Sequence, residues 1–249
     1  MPTTPRPTDP LPPAPDDEDP AWLDYRARFA ELYDEQNYAS AVQGGAMRAG
    51  HRLAEAAFGP EQRFDEVLEV GAGTGEHLPF VRHGFGRWTM TDADPRALAV
   101  AQRRLAATPG DRLVFAVADA ARPPYPEASF DRVVATHVLE HLERPHEAIK
   151  AWCRLLRDGG VLTVLIPTDP GLAWRLGRHL GPRRHAQARG LAYDYVMARE
   201  HVNPCHNLLA LLAHYLPHAE RHWWPLRVPA IDLNLFVVVH AVVRRDAKG

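Results

Sequence analysis

Val67-Leu68-Glu69-Val70-Gly71-Ala72-Gly73-Thr74-Gly75-Glu76 is the stretch on which the reading of this chain turns. A short apolar run climbs into a carboxylate, then into three glycines at alternating positions, then into residues suited to start a helix. Strand, tight loop and helix in that order mark the point where an open α/β sheet receives a ligand. Glycine matters there because only a missing side chain lets backbone approach a ligand closely.

Working outward, strand and helix patterns alternate. Phe64 to Val70 reads as the first strand, and Glu76 to Arg82 as the start of the first crossover helix. Trp88 to Thr91 is a second strand. Asp94-Pro95 then supplies an N-cap and a first-turn proline, with Leu98, Ala101 and Leu105 on one helix face. Leu113 to Val117 and Phe130 to Thr136 are further strands. A helix marked by Ile149, Trp152, Cys153 and Leu156 follows, stopped by Asp158-Gly159-Gly160, and Val161 to Ile166 is a fifth strand of buried type. After Pro167 the rhythm breaks. Residues 168–204 lack a strand pattern and are rich in arginine and aromatics; Leu208, Leu211, Leu212 and Tyr215 then give another helix. Two strand-like runs close the chain, Glu220 to Val228 and Leu233 to Val243, the final one expected antiparallel. The pattern predicts an α/β fold, a doubly wound, seven-stranded, mostly parallel sheet.

Three regions are expected. Residues 1–20 are proline-rich, end in Asp16-Asp17-Glu18-Asp19 and read as a disordered tail. Residues 21–60 form an N-terminal helical cap, with Trp22, Tyr25, Phe29, Leu32 and Tyr33 and then Met47, Leu53, Ala54 and Phe58 at helical spacing. Residues 61–249 carry the sheet, with an inserted lid at about 168–204.

Composition narrows the function. The 249 residues are 46% hydrophobic and 24% charged with a net charge of −2, enough for a packed core and without the basic run that nucleic acid demands. Two cysteines make neither a disulfide framework nor a zinc site and fit a reducing compartment. The longest apolar stretch, around Leu235 to Val243, is too short to span a bilayer, so a cytoplasmic protein without an integral membrane segment is expected. The 14 histidines are scattered rather than set at one helical spacing with carboxylates, and no metal site is expected from them.

A pyrophosphate-binding loop needs its third glycine at position 76, where this chain has Glu76. Glu69 and Glu76 would repel a pyrophosphate and suit a ligand that carries an ammonium and a sulfonium. Asp92 stands 21 residues after Gly71 (92 − 71), the place of an acidic residue that accepts ribose hydroxyls. Val117-Ala118-Asp119-Ala120 follows the third strand, then Pro123-Pro124-Tyr125-Pro126 and Ser129-Phe130-Asp131 lead into the fourth. That strand continues as Ala135-Thr136-His137-Val138-Leu139-Glu140-His141-Leu142. From about Phe64 to Pro167 this succession resembles the class I S-adenosylmethionine (SAM)-dependent methyltransferases, in particular the small-molecule group. The flanking helices and the segments after Pro167 do not share the pattern.

The resemblance implies a Rossmann-like methyltransferase fold, SAM as cofactor and S-adenosylhomocysteine as product. Glu69, Gly71, Ala72, Gly73 and Gly75 would line the methionine part. Asp92, with Ala93 beside it, would hold the ribose. Asp119 would accept from the adenine amine, and the backbone N–H of Ala120 would reach a ring nitrogen. Thr136 and His137 would face the sulfonium. His137 is the first candidate for a general base and His141, one turn on, the second; the alternative for both is packing beside the cofactor. The acceptor is expected to be a small molecule methylated on O or N, with secondary metabolism one setting. Tyr38, Tyr193, Tyr195, His201 and Asn203 are substrate-side candidates. The lid arginines suggest an anionic lipid- or sugar-linked acceptor as an alternative, a non-catalytic SAM-binding subunit is another, and a homodimer stays open.

Overall fold

The computed structural model describes residues 19–25, 27, 41–108 and 111–245. Tyr38 and most of the first helical segment lie outside the described residues. A seven-stranded sheet runs in the order β3-β2-β1-β4-β5-β7-β6, built from β1 (Arg63–Val70), β2 (Gly84–Asp92), β3 (Leu113–Val117), β4 (Phe130–Thr136), β5 (Leu156–Pro167), β6 (Glu220–Trp224) and β7 (Phe236–Val242). β1 to β5 are parallel. β7 slots in antiparallel between β5 and β6, so the strand that is last in sequence is last but one in space.

Period-two alternation splits the core. Leu68 and Val133 point to the face that holds Trp152 and Leu208; Val67 and Val134 point to the face that holds Trp88 and Leu98. The first face is covered by α3 (Pro145–Leu155) and α7 (Cys205–Tyr215). The second is covered by α2 (Pro95–Arg104) at the β2–β3 end and by α1 (Ala41–Glu55) against β5, β6 and β7. Trp88, Trp152, Leu68 and Ile149 are fully buried, and each such side chain stabilises the fold by about 1.5–3 kcal/mol.

Two local expectations are corrected. No crossover helix spans Glu76 to Arg82; the chain makes one 3-10 turn, Leu78–Phe80, with Pro79 inside it. Only thirteen residues (84 − 70 − 1) connect β1 to β2. An α-helix of that length advances about 20 Å, whereas nine residues of strand cover about 30 Å, so the return must be largely extended. The second correction concerns Asp158-Gly159-Gly160. α3 ends at Leu155, and the glycines lie inside β5 as an irregularity, where Phe130 pairs with Leu156 but Arg132 with Val161.

Between β5 and α7 the chain forms three short helices, α4 (Leu172–Leu180), α5 (Pro182–Ala188) and α6 (Tyr193–Glu200). Asn203 straps the end of this segment to the loop after β4. Its backbone N–H donates to Glu140 O at 3.1 Å, and its side-chain amide donates to Leu139 O at 2.9 Å and Leu142 O at 2.5 Å.

Candidate active site

The carboxyl ends of β1, β2, β3 and β4 converge on one sheet edge, and the glycine loop closes it. Gly71, Gly73 and Gly75 have φ of 66°, 53° and 79°, the left-handed region in which other side chains are strained. Two of them are also crowded. A Cβ on Gly71 would stand 2.5 Å from Val138 Cγ2, and one on Gly75 would meet Leu105 and Ala101 at 3.0 and 3.2 Å. Gly73 faces open space, with nothing within 4 Å of such a Cβ. The loop is held by Ala72 N–H donating to Thr91 O and Gly73 N–H donating to Asp92 Oδ2, at 2.9 and 2.8 Å. Asp92 also accepts from Asp94 N–H at 2.9 Å; burial raises its carboxyl above the usual range, against the pull of these N–H groups.

A narrow cavity opens at this edge, lined by Gly71, Ala72, Gly73, Thr136 and His137, with Glu69 at its base and His51 and His77 on its wall. Glu69 is buried and accepts from the Trp88 indole N–H at 2.8 Å, and burial raises its carboxyl. His137 also has a left-handed backbone, φ 59°. Its ring stands edge-on to Phe236 at 5.4 Å, its Nδ1 lies 3.4 Å from Glu140 Oε1, and its Nε2 is buried with no hydrogen-bond partner. A small cleft rimmed by backbone N–H groups, one orphan imidazole nitrogen and two acidic strand ends fits a cationic nucleoside better than a pyrophosphate.

A family profile for a methyltransferase domain matches residues 68–164. Residues 68–164 form a class I SAM-dependent methyltransferase domain. Among curated proteins the chain is 33% identical over 125 residues to the 27-O-demethylrifamycin SV methyltransferase of Amycolatopsis mediterranei, covering 45% of this chain and 44% of that one. It is 34% identical over 104 residues to the ubiquinone/menaquinone biosynthesis C-methyltransferase UbiE of Laribacter hongkongensis, 40% of this chain and 42% of that one. The chain thus spans less than half the length of these relatives. The N-methyltransferase NodS of Bradyrhizobium japonicum, solved with S-adenosylhomocysteine, superposes with a TM-score of 0.58 at 19% identity, over 89% of this chain and 98% of that one, a likeness of fold.

In the methyltransferase domain the expected cofactor residues separate into three groups. Glu69, Gly71, Ala72, Gly73, Thr136 and His137 line the cavity, while Gly75 packs against α2. Asp92 and Ala93 follow from the end of β2, and Asp119 and Ala120 lie just past β3, on the same edge. Asp119 accepts from Ala121 N–H at 2.8 Å, and Ala120 O accepts from the Trp152 indole at 2.8 Å.

The substrate-side candidates are more dispersed. Tyr195 donates to Asp19 at 2.8 Å and accepts from Arg199, so it ties α6 to the N-terminal segment. Tyr193 lies under the Arg178 guanidinium. His201 and His141 come together at 5.1 Å between ring centroids. Sequence reading missed the cavity-wall pair of His51 and His77, whose Nδ1 atoms are 3.1 Å apart. Burial, then the neighbouring His77 and His137 rings, hold the His51 imidazole neutral, well below its ordinary pKa. The available signal was faint: His51 precedes Glu55 by one turn in a helix otherwise rich in small residues. The role of Glu140, quoted only as part of a motif, was also missed.

No described helix is long and apolar enough to cross a membrane.

Proposed function

We propose that this chain methylates a small molecule on oxygen or nitrogen, with a hydroxyl oxygen the acceptor its site serves best. The observation that carries the reading is His137. Its Nε2 is buried, has no hydrogen-bond partner and belongs to the cavity wall, while Glu140 sits on the Nδ1 side. A carboxylate beside Nδ1 favours the tautomer with its proton there, which leaves the Nε2 lone pair free to take a hydroxyl proton. When bound, SAM supplies an electrophilic methyl group, so the protein needs alignment, dryness and at most one base.

The remaining roles follow from position. Gly71, Gly73 and Ala72 would cradle the methionine part, Asp92 and Ala93 the ribose, and Asp119 and Ala120 the adenine. His51, held neutral by burial, keeps its part of the wall polar but uncharged beside a cation. A relative named for an O-methylation supports the oxygen reading, and one named as a C-methyltransferase shares the same domain. A non-catalytic SAM-binding subunit would have no use for an orphan base. An anionic acceptor is less favoured, because Arg178 and Arg183 of the lid already pair with Asp169 and Asp194. Cys153 and Cys205 are free thiols, pushed by burial up to about 11 and about 12, consistent with a cytoplasmic enzyme.

The test begins with calorimetric titration of SAM and of NAD. SAM should bind, NAD should not, and Asp92→Ala should weaken SAM by at least roughly tenfold, the loss of a charge-assisted hydrogen bond. Radiolabelled SAM with a panel of phenols, alcohols and amines then reads turnover. SAM that fails to bind, or an Asp92→Ala variant that binds as the parent does, overturns the cofactor assignment; turnover on amines alone overturns the preference for oxygen.

A further inference from the structure

We propose that Glu140, His141 and His201 form a site for one divalent transition-metal ion. One donor atom from each lies within 4.8 Å of the other two. Donors bound to a tetrahedral ion at about 2.1 Å stand roughly 3.4 Å apart, so a modest rotation of the two imidazoles closes the set.

Four features make this more than proximity. First, His141 Nδ1 faces only acceptors, Glu200 O at 2.9 Å and the Glu200 carboxylate at 3.0 Å. Second, His201 Nδ1 likewise faces the Asp169 carboxylate at 2.9 Å. Both Nδ1 atoms therefore carry a proton, so in the neutral imidazole each Nε2 is the nitrogen that offers a lone pair. A carboxylate behind a metal-binding imidazole is the usual outer support of such a ligand. Third, Glu140 is 1% exposed, and neither of its carboxylate oxygens has a hydrogen-bond partner. Its nearest ion-pair neighbours among the described residues are imidazoles, His137 Nδ1 at 3.4 Å and His141 Nε2 at 3.9 Å. Beyond that long contact to His137 the buried carboxylate has no donor among the described residues, and a cation lowers the cost of burying it. Fourth, the Asn203 strap fixes the loop carrying Glu140 and His141 to the segment carrying His201.

Two imidazoles and one carboxylate select a borderline ion such as zinc or ferrous iron over magnesium, which prefers oxygen donors and water. The ion would lie on the Glu140 side of His137, which lines the cofactor cavity, and its open coordination positions could take an acceptor's oxygen. That role rests on the function proposed above; the binding itself does not.

The experiment uses the full chain, stripped with a chelator and titrated with cobalt(II), with visible d–d absorption as the readout. Zinc competition against a chromophoric chelator follows. One equivalent should bind with structured visible bands, and zinc should displace it. His141→Ala and His201→Ala should each weaken binding roughly 10–100-fold or more, and Asp169→Asn, which leaves the three ligands in place and weakens the support behind His201 along with the Arg178 pair, by a smaller factor in that range. The exposed His214→Ala is the control for binding to stray histidines and should change nothing. Circular dichroism checks that the variants fold; should a histidine variant unfold, Glu140→Gln decides. Absence of a d–d spectrum, or affinities unchanged in the His141, His201 and Glu140 variants, overturns the site and leaves an ordinary cluster of imidazoles around a carboxylate. S-adenosylhomocysteine binding, measured on the same samples, reports separately on the cofactor reading.

Discussion

His137 holds a backbone conformation that asparagine tolerates and most side chains do not. His137→Asn therefore removes the imidazole without disturbing the turn after β4. Loss of a general base should lower kcat by about 10²–10⁴-fold while SAM affinity stays within a few-fold, read by single-turnover kinetics and calorimetry. Equal losses in both would make the ring a wall and not a base. The glycines separate strain from crowding in the same way. Gly71→Ala meets both a φ of 66° and a 2.5 Å approach to Val138 Cγ2, whereas Gly73→Ala meets a φ of 53° and open space. Gly71→Ala should cost about 1–3 kcal/mol more stability than Gly73→Ala, measured by urea unfolding. These loop positions were legible in the sequence because their reason is local. The meeting of His201 with Glu140 was not, since 60 residues (201 − 140 − 1), a three-helix insertion among them, lie between them.

Among the elements, the sheet and most of its order could be read from alternation, because buried parallel strands are written as short apolar runs between turn signals. The absence of a helix after the glycine loop was also legible in principle, from Pro79 and the short distance to β2, but helical spacing around Leu78 and Val81 concealed it. What no pattern shows is how α1 is held. Glu55, in its last turn, receives Arg132 of β4 through Nη2 at 2.7 Å and Nη1 at 3.0 Å, and His77 Nε2 lies 2.8 Å away. The pair is fully buried, with the guanidinium 4.0 Å over the Phe58 ring. Truncating one partner strands the other charge, so Glu55→Ala should destabilise the protein by about 3–5 kcal/mol. The double variant Glu55→Leu with Arg132→Met should recover much of that, because a buried pair is replaced by packing. Urea midpoints of the three proteins check it; a double variant as unstable as Glu55→Ala would show that the pair positions α1 rather than merely neutralising a charge.

Across the whole molecule, the face behind the cofactor cavity carries a continuous buried polar chain. It runs from His51 to His77, Glu55, Arg132 and Thr163, and ends at His240 of β7, whose Nδ1 is 3.1 Å from Thr163 Oγ1. Burial, then the nearby Arg132 and His222, lower the His240 imidazole to about 3, against only a small opposing pull from Glu55. The Glu55 carboxyl, despite its burial, is lowered to about 2 by His77 and Arg132. Both shifts act in the same direction on stability. Between pH 6.5 and about 3 the unfolded chain binds a proton at residue 240 and the native chain does not, so stability falls as pH falls through that window. Glu55 adds its loss between about 4.5 and about 2, where only the unfolded carboxyl is protonated. From pH 7 to pH 5 the His240 linkage alone removes about 2 kcal/mol, and the neutral His51 adds to it. The urea midpoint should therefore drop over that interval. His240→Phe, which keeps the edge-on contact with Phe58, should flatten the drop by about that amount, whereas the exposed His218→Ala should leave it intact. A parent protein equally stable at pH 5 and pH 7 would mean that the interior of this sheet opens to water and protonates at little cost.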